Sequence, residues 1–227
     1  MNKIQALVLC GGKGERLRPL TDSIPKPLIH VGGKPILSYL VKHIKSYKIN
    51  QIIFATGYNS EKICDYLSEN IPHVDYFLSD AGDVDIIERI KYAREQISDD
   101  IIVFYGDTIA DVDIDKLIYH HRTNQGKATI TVWPLRSQFG ILEFGGNNMI
   151  SSFLEKPILD KWINIGYIYL ENSLLMELDR FTRFEDFLCY LIDTKEMNGF
   201  KHNGTHITVN TQKELEEAEK SIQCLGL

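Results

Sequence analysis

The sequence predicts an α/β fold, a Rossmann-like mixed, mainly parallel central sheet flanked by helices. Three observations carry that expectation. Short aliphatic runs alternate with amphipathic stretches through the first half of the chain. Such alternation belongs to parallel strands covered on both faces. Two of the runs end directly in glycine, at Gly11-Gly12 and at Gly106-Asp107, and open α/β sheets bind ligands beyond the carboxyl ends of their strands. The second half turns β-rich, with turn signals such as Gly145-Gly146-Asn147-Asn148 between apolar runs, so the sheet is expected to be mixed.

Residues 4–10 are short, aliphatic and closed by glycines, hence a buried strand. Residues 35–47 place Ile36, Leu37, Leu40, Val41 and Ile44 at helical spacing. Residues 51–56 form the second strand, and 60–69 a helix for which Ser60 is the expected N-cap. A short strand at 74–78 precedes a helix at 84–96, with Asp83 or Asp85 near its start, and 101–105 is another buried strand. Beyond these, 114–124 and 185–195 are expected helices, and 128–134, 141–144, 149–154 and 163–170 expected strands. A strand at 206–209 runs into a charged closing helix at 212–223. No repeat, low-complexity segment or linker interrupts the chain. One domain over 1–227 is expected, with a nucleotide-sized first lobe at about 1–112 and a mixed-sheet second lobe at about 113–227.

A chain of 227 residues is long enough to bury a sizeable core. Lys and Arg number 25 against 31 Asp and Glu, a formal charge of −6. That balance argues against a nucleic-acid partner, which would need a basic face, but leaves room for a local basic pocket. Cys10, Cys64, Cys189 and Cys224 form no C-x-x-C pair and read as reduced thiols. The apolar run at the start is too short for a secretory signal and ends in a charged glycine loop. No stretch approaches a membrane span. A cytoplasmic protein is expected.

The chemistry concentrates in LVLCGGKGERLRPLTDSIPKPL, residues 7–28. Glycines after a strand bring backbone N–H groups close to a phosphate. Arg16 adds a planar fork matched to phosphate oxygens, and Lys26 is a cation stiffened by Pro25 and Pro27. The group reads as a polyphosphate cradle. It is neither a P-loop nor a dinucleotide fingerprint, because Gly11 plus five is Arg16 and the third glycine after Gly12-x-Gly14 is missing. A nicotinamide-dependent enzyme is disfavoured on the same ground. His120-His121 lies on a polar helix without a nearby third ligand and is read as a surface helix. Tyr167 and Tyr169 alternate on a strand, so one face there is expected to be core.

The stretch resembles the signature G-G-x-G-x-R-L-x-P-L-T-x-x-x-P-K-P of the sugar-1-phosphate nucleotidyltransferases, the nucleoside-diphosphate-sugar pyrophosphorylases. The resemblance continues in YGDTIADVDI, FLEKP and INIGYIYL, in order along nearly the whole chain. It implies a GT-A-like fold, Mg2+ as cofactor, and a nucleoside triphosphate and a sugar 1-phosphate as partners. It also implies site residues: Leu9, Gly11 and Gly12 against the nucleotide, Arg16 on the leaving pyrophosphate and Lys26 at the reacting phosphates. Asp107 would bind the catalytic magnesium. Glu155 and Lys156 would hold the sugar and its phosphate, with Asn164, Gly166 and Gly140 facing the sugar. Lys13, Glu15 and Arg18 are read as solvent-facing or gating. Relatives are commonly dimers or tetramers, so a homo-oligomer is in keeping with the resemblance.

Two departures bear on substrate. Many relatives carry a glycine-rich segment against the nucleoside where this chain has DAGDVDIIERI, residues 80–90. Asp80 and Gly82 are what remains there to meet the base or ribose. The late metal carboxylate of many relatives is Asn210 here, a neutral oxygen ligand of the kind seen in the N-acetylglucosamine uridylyltransferases that this segment resembles. No appended domain follows in the sequence, so a minimal catalytic unit is expected. Length leans the reading toward guanylyl transfer to heptose or mannose 1-phosphate for surface polysaccharide. SQFGILEF resembles the glucose-1-phosphate cytidylyltransferases instead. Cytidylyl transfer to a non-sugar phosphate and a catalytically silent nucleotide-sugar-binding regulator stay open.

Overall fold

The computed structural model describes residues 3–222. Its strands are β1 (Ile4–Leu9), β2 (His30–Val31), β3 (Lys34–Pro35), β4 (Gln51–Thr56), β5 (Tyr76–Asp80), β6 (Asp100–Tyr105), β7 (Thr108–Ala110), β8 (Ala128–Arg136), β9 (Ile141–Phe144), β10 (Ile150–Leu154), β11 (Ile158–Leu170), β12 (Met197–Lys201) and β13 (His206–Thr208). Its helices are α1 (Leu20–Ser23), α2 (Ile36–Lys45), α3 (Ser60–Asn70), α4 (Ile86–Ala93), α5 (Ile114–Thr123), α6 (Phe184–Asp193) and α7 (Gln212–Ser221).

The central sheet runs β12-β8-β11-β6-β1-β4-β5. Its β6-β1-β4-β5 half is parallel, and β11 is antiparallel to both β6 and β8. The second half of the chain therefore extends the same sheet. Side-chain parity explains why the strands read as continuous apolar runs. Ala6, Val8, Phe54, Phe104, Tyr167 and Tyr169 point to the face covered by α2, α3 and α5. Leu7, Ile53, Ala55, Val103 and Ile168 point to the face covered by α4 and α6. Both strand faces are thus dry, and a polar residue on either would be buried. A third cluster joins Leu17, Ile29, Val31, Ile109, Ile207, Val209 and α7. It anchors the segments that follow β1 and precede α7.

Most expected elements appear within a few residues of their predicted bounds; the predicted end of the closing helix, Gln223, lies outside the described residues, as does Cys224. Some readings change. Asn59, in a left-handed conformation, is the N-cap of α3, while the Ser60 hydroxyl bonds Asp80 at 2.6 Å. His121 is a buried residue rather than a surface one. It stacks on Tyr169 at 3.9 Å, its Nδ1 lies 2.9 Å from the Thr129 hydroxyl, and burial depresses its basicity. β12 went unpredicted, because MNGFK mixes one glycine and one charge into an edge strand. The last strand, β13, does not join the main sheet but pairs with β7.

Candidate active site

The carboxyl ends of β1 and β6 lie side by side, and Gly106 N donates to Leu9 O at 3.0 Å. The loop after β1 and Asp107 after β6 therefore open on one crevice. There the chain leaves β1 to build β4 and β5 on one side, and enters β6 on the other, which is where open α/β sheets form their clefts. The cleft measures about 570 Å³. Leu9, Gly11, Gly12, Arg16, Lys26, Asp107 and Asn210 all line it, so residues up to about 200 positions apart in sequence meet there.

Its centre is a small polar network. Lys26 Nζ bonds Asp107 Oδ2 and donates to Asn210 Oδ1 at 2.8 Å. Arg16 Nη2 donates to the same Asn210 oxygen at 2.9 Å. Asn210 is held in turn: its backbone N–H donates to Glu214 at 2.6 Å and its amide nitrogen to the Thr208 hydroxyl at 3.2 Å. The Lys26 side chain is only 11% exposed and that of Asp107 28%, so their pairing is far less screened than a surface ion pair. Two oxygens, one charged, converge on one ammonium group. They are hard donors of the type magnesium takes, with phosphate and water completing its shell. Among the described residues no group of three His, Cys, Asp or Glu side chains could hold a metal alone. A metal here would have to share its shell with the substrate.

Around this centre, Gly14 sits at φ +64°, with its carbonyl accepting from Leu17 N and the Thr21 hydroxyl, both at 2.9 Å. This turn swings Arg16 into the cleft. Lys13 crosses the mouth to Asp83 at 2.5 Å, and the pairing raises the lysine pKa. The acidic substitution in the 80–90 segment thus serves to tie two loops together. Asp80 also bonds within the protein: one oxygen accepts from Ser60 and the other from Gly82 N at 2.9 Å. Neither Asp80 nor Gly82 lines the cleft.

The sequence-predicted sugar residues form two further groups. Asn164 and Gly166 lie on β11 against Tyr105, with Asn164 Nδ2 donating to the Tyr105 hydroxyl at 3.3 Å and Gly166 N to Asn164 Oδ1 at 2.8 Å. Tyr105 lines the cleft, so this group borders it. Burial raises the Tyr105 pKa. Gly140 packs on Phe153 and Glu155 beside the β9–β10 hairpin, and Lys156 follows at φ 45° in the turn before β11. Glu155 and Lys156 are exposed and outside the cleft lining.

Sequence reasoning missed Arg89. It is 4% exposed on α4, and its guanidinium bonds four carbonyls from three loops. They are Gly11 at 3.3 Å, Thr56, Gly82 at 3.2 Å and Val84 at 2.8 Å. A side chain at Gly11 would overlap that guanidinium, which is why glycine stands there. Burial lowers the Arg89 pKa. The signal was available: Arg89 falls on the apolar stripe of Ile86, Ile90 and Ala93, where a charge must have a buried task.

A nucleotidyl transferase family model matches residues 5–203. The chain belongs to that family. It is 34% identical to the "Probable glucose-1-phosphate cytidylyltransferase" of Bacillus subtilis, with 96% of this chain and 95% of that one covered. It is 31% identical to the bifunctional protein GlmU of Methanococcus maripaludis, covering 88% of this chain and spanning 50% of that relative's length. Among solved structures it is similar to HddC of Yersinia pseudotuberculosis complexed with GMP-PN, with a TM-score of 0.75 at 22% identity over 98% of this chain and all of that one. The fold is that of the nucleotidyltransferases, and the chain is an enzyme of the sugar-1-phosphate nucleotidyltransferase family. Among the described residues no helix is long and apolar enough to cross a membrane.

Proposed function

We propose that the enzyme joins a sugar 1-phosphate to a nucleoside triphosphate with magnesium, releasing pyrophosphate and an activated sugar. The observation that carries this is the convergence of Arg16, Lys26, Asp107 and Asn210 beyond the glycine loop. A sugar-phosphate oxygen attacks the α-phosphorus, and the bond to the pyrophosphate oxygen breaks. The nucleophile is already an anion, so the residues need only align it and offset charge. Lys26 and Arg16 supply cations to the α-phosphate and the departing pyrophosphate. Backbone N–H groups of the glycine loop hold the triphosphate. Asp107 and Asn210 would hold the magnesium, which would neutralise phosphate charge when bound.

For the finer substrate, cytidylyl transfer to glucose 1-phosphate is favoured by the relative matched over nearly all of both chains. Guanylyl transfer to heptose or mannose 1-phosphate is the second reading. The test is pyrophosphate release with magnesium, crossing CTP, GTP, UTP, dTTP and ATP against glucose, mannose, heptose and N-acetylglucosamine 1-phosphates. One productive pair supports the reaction and selects the branch. Silence across the panel from folded protein would favour a non-sugar acceptor or a nucleotide-sugar-binding regulator.

Lys156→Ala is expected to raise KM for the sugar phosphate about tenfold while leaving KM for the triphosphate in place, as loss of one charge-assisted bond would. An unchanged sugar-phosphate KM would remove Lys156 from the site.

A further inference from the structure

The two oxygens proposed to hold the metal arrive on a short support. Asp107 immediately precedes β7, and Asn210 follows two residues after β13. These strands pair only with each other, over three residues: His206 with Ala110, Ile207 with Ile109 and Thr208 with Thr108. A two-stranded ladder of that length is not stable alone, and burial of Ile109 and Ile207 in the third cluster fixes only which face points inward. A slip that keeps Ile207 inward is of two residues and would move Asn210 by about 7 Å. That exceeds what its 2.8 and 2.9 Å bonds to Lys26 and Arg16 can absorb.

A cluster at the far end of the ladder supplies a second constraint beside that packing. Asp111 Oδ1 accepts from Thr205 N at 2.7 Å and meets His202 Nε2 at 3.0 Å. Asp111 N also donates to Thr205 O at 3.4 Å. The turn is tied to β8 twice: His202 N donates to Val132 O at 2.9 Å, and Trp133 Nε1 to Gly204 O at 3.0 Å. His202 is buried. A Cβ at Gly204 would overlap Asp111 and press on His202, so glycine there is a condition of the close approach.

We infer that Asp111 and His202 are positioning residues: their clasp on the 202–205 turn sets the β7–β13 register and thereby delivers Asn210 to Lys26 and Asp107. Neither residue touches the cleft; both act through Asn210. The inference rests on the proposed role of that centre, and its test separates the two.

The first arm uses the free protein. Amide hydrogen exchange in Asp111→Ala is expected to lose at least tenfold protection over residues 206–208, with β1, β4 and β6 unchanged. Asp111→Asn keeps an acceptor for Thr205 N and is expected to retain most of the protection. Unchanged exchange at 206–208 in Asp111→Ala would overturn the clasp. If Asp111→Ala does not fold, Gly204→Ala strains the same contact and is read in the same way. The second arm titrates the magnesium complexes of CTP and GTP. Asp111→Ala and Asn210→Ala should each weaken binding about tenfold, and the double variant no further, because both remove one contact. Multiplying losses, about a hundredfold together, would show independent roles and refute positioning through Asn210. Wild-type protein that binds neither nucleotide would count against the proposed function, and the exchange arm would still decide the clasp.

Discussion

Asp107→Ala is expected to lower turnover by at least a thousandfold while the protein stays folded. The residue sits two positions beyond β6, whose central residues are buried, yet its side chain is 28% exposed and bonds Lys26 and Thr108. Removing it leaves β6 untouched. The loss in rate follows from its place: its carboxylate pairs with Lys26 at the centre of the Arg16–Lys26–Asn210 network. Groups that meet developing charge in a water-poor site are each worth about a hundred- to a thousandfold, and loss of the magnesium shell would add to that. A second consequence has the opposite sign. The carboxylate repels a triphosphate that arrives without metal, and it ties up Lys26. Metal-free nucleotide should therefore bind Asp107→Ala at least as tightly as wild type, while magnesium no longer improves binding. Calorimetric titration with and without magnesium, beside pyrophosphate release, checks both. Full activity with the metal requirement intact would place the magnesium elsewhere.

The parts of this site that could be read in the sequence are those whose chemistry is local. Gly11, Gly12, Arg16 and Lys26 lie on one continuous stretch after an aliphatic strand, and Asp107 repeats the strand-then-glycine pattern. Unbroken aliphatic runs, β1 above all, make the covered sheet readable in the same way. What escaped was set by pairing across the chain. β13 reads as a strand, but nothing in HIT shows that its partner is β7 and not the main sheet. Nothing in the sequence shows that the Ser60 hydroxyl bonds Asp80 across two loops. His121 sits on a polar stretch, and only the packing of α5 on Tyr169 turns it inward. Arg89 is the clearest instance, because its four acceptors are backbone carbonyls that no side-chain motif records.

That buried guanidinium carries the second large expectation. Arg89→Met keeps much of the aliphatic stem and removes every donor, so the carbonyls of Thr56 and Val84 lose the guanidinium, while those of Gly11 and Gly82 keep a backbone donor, Tyr58 N at 3.2 Å and Val84 N at 3.1 Å. Loss of a buried charged donor is worth about 3 kcal/mol where water can reach part of the gap, as the cleft beside Arg89 allows. For a chain of this size each kcal/mol lowers Tm by about 2–4 °C, so a drop of about 6–12 °C is expected. The same carbonyls fix the glycine loop against the 80–85 loop, so the N–H groups of Gly11 and Gly12 lose their common orientation. Nucleotide affinity should fall tenfold or more. Arg89→Lys separates charge from shape. Its ammonium keeps the positive charge but cannot span carbonyls on three loops as a planar fork does. It should recover part of the affinity lost in Arg89→Met, with Tm between the two. Thermal denaturation and nucleotide titration of both variants make the comparison. If both match wild type, the loops hold their shape without Arg89, and its four bonds follow from the fold without supporting it.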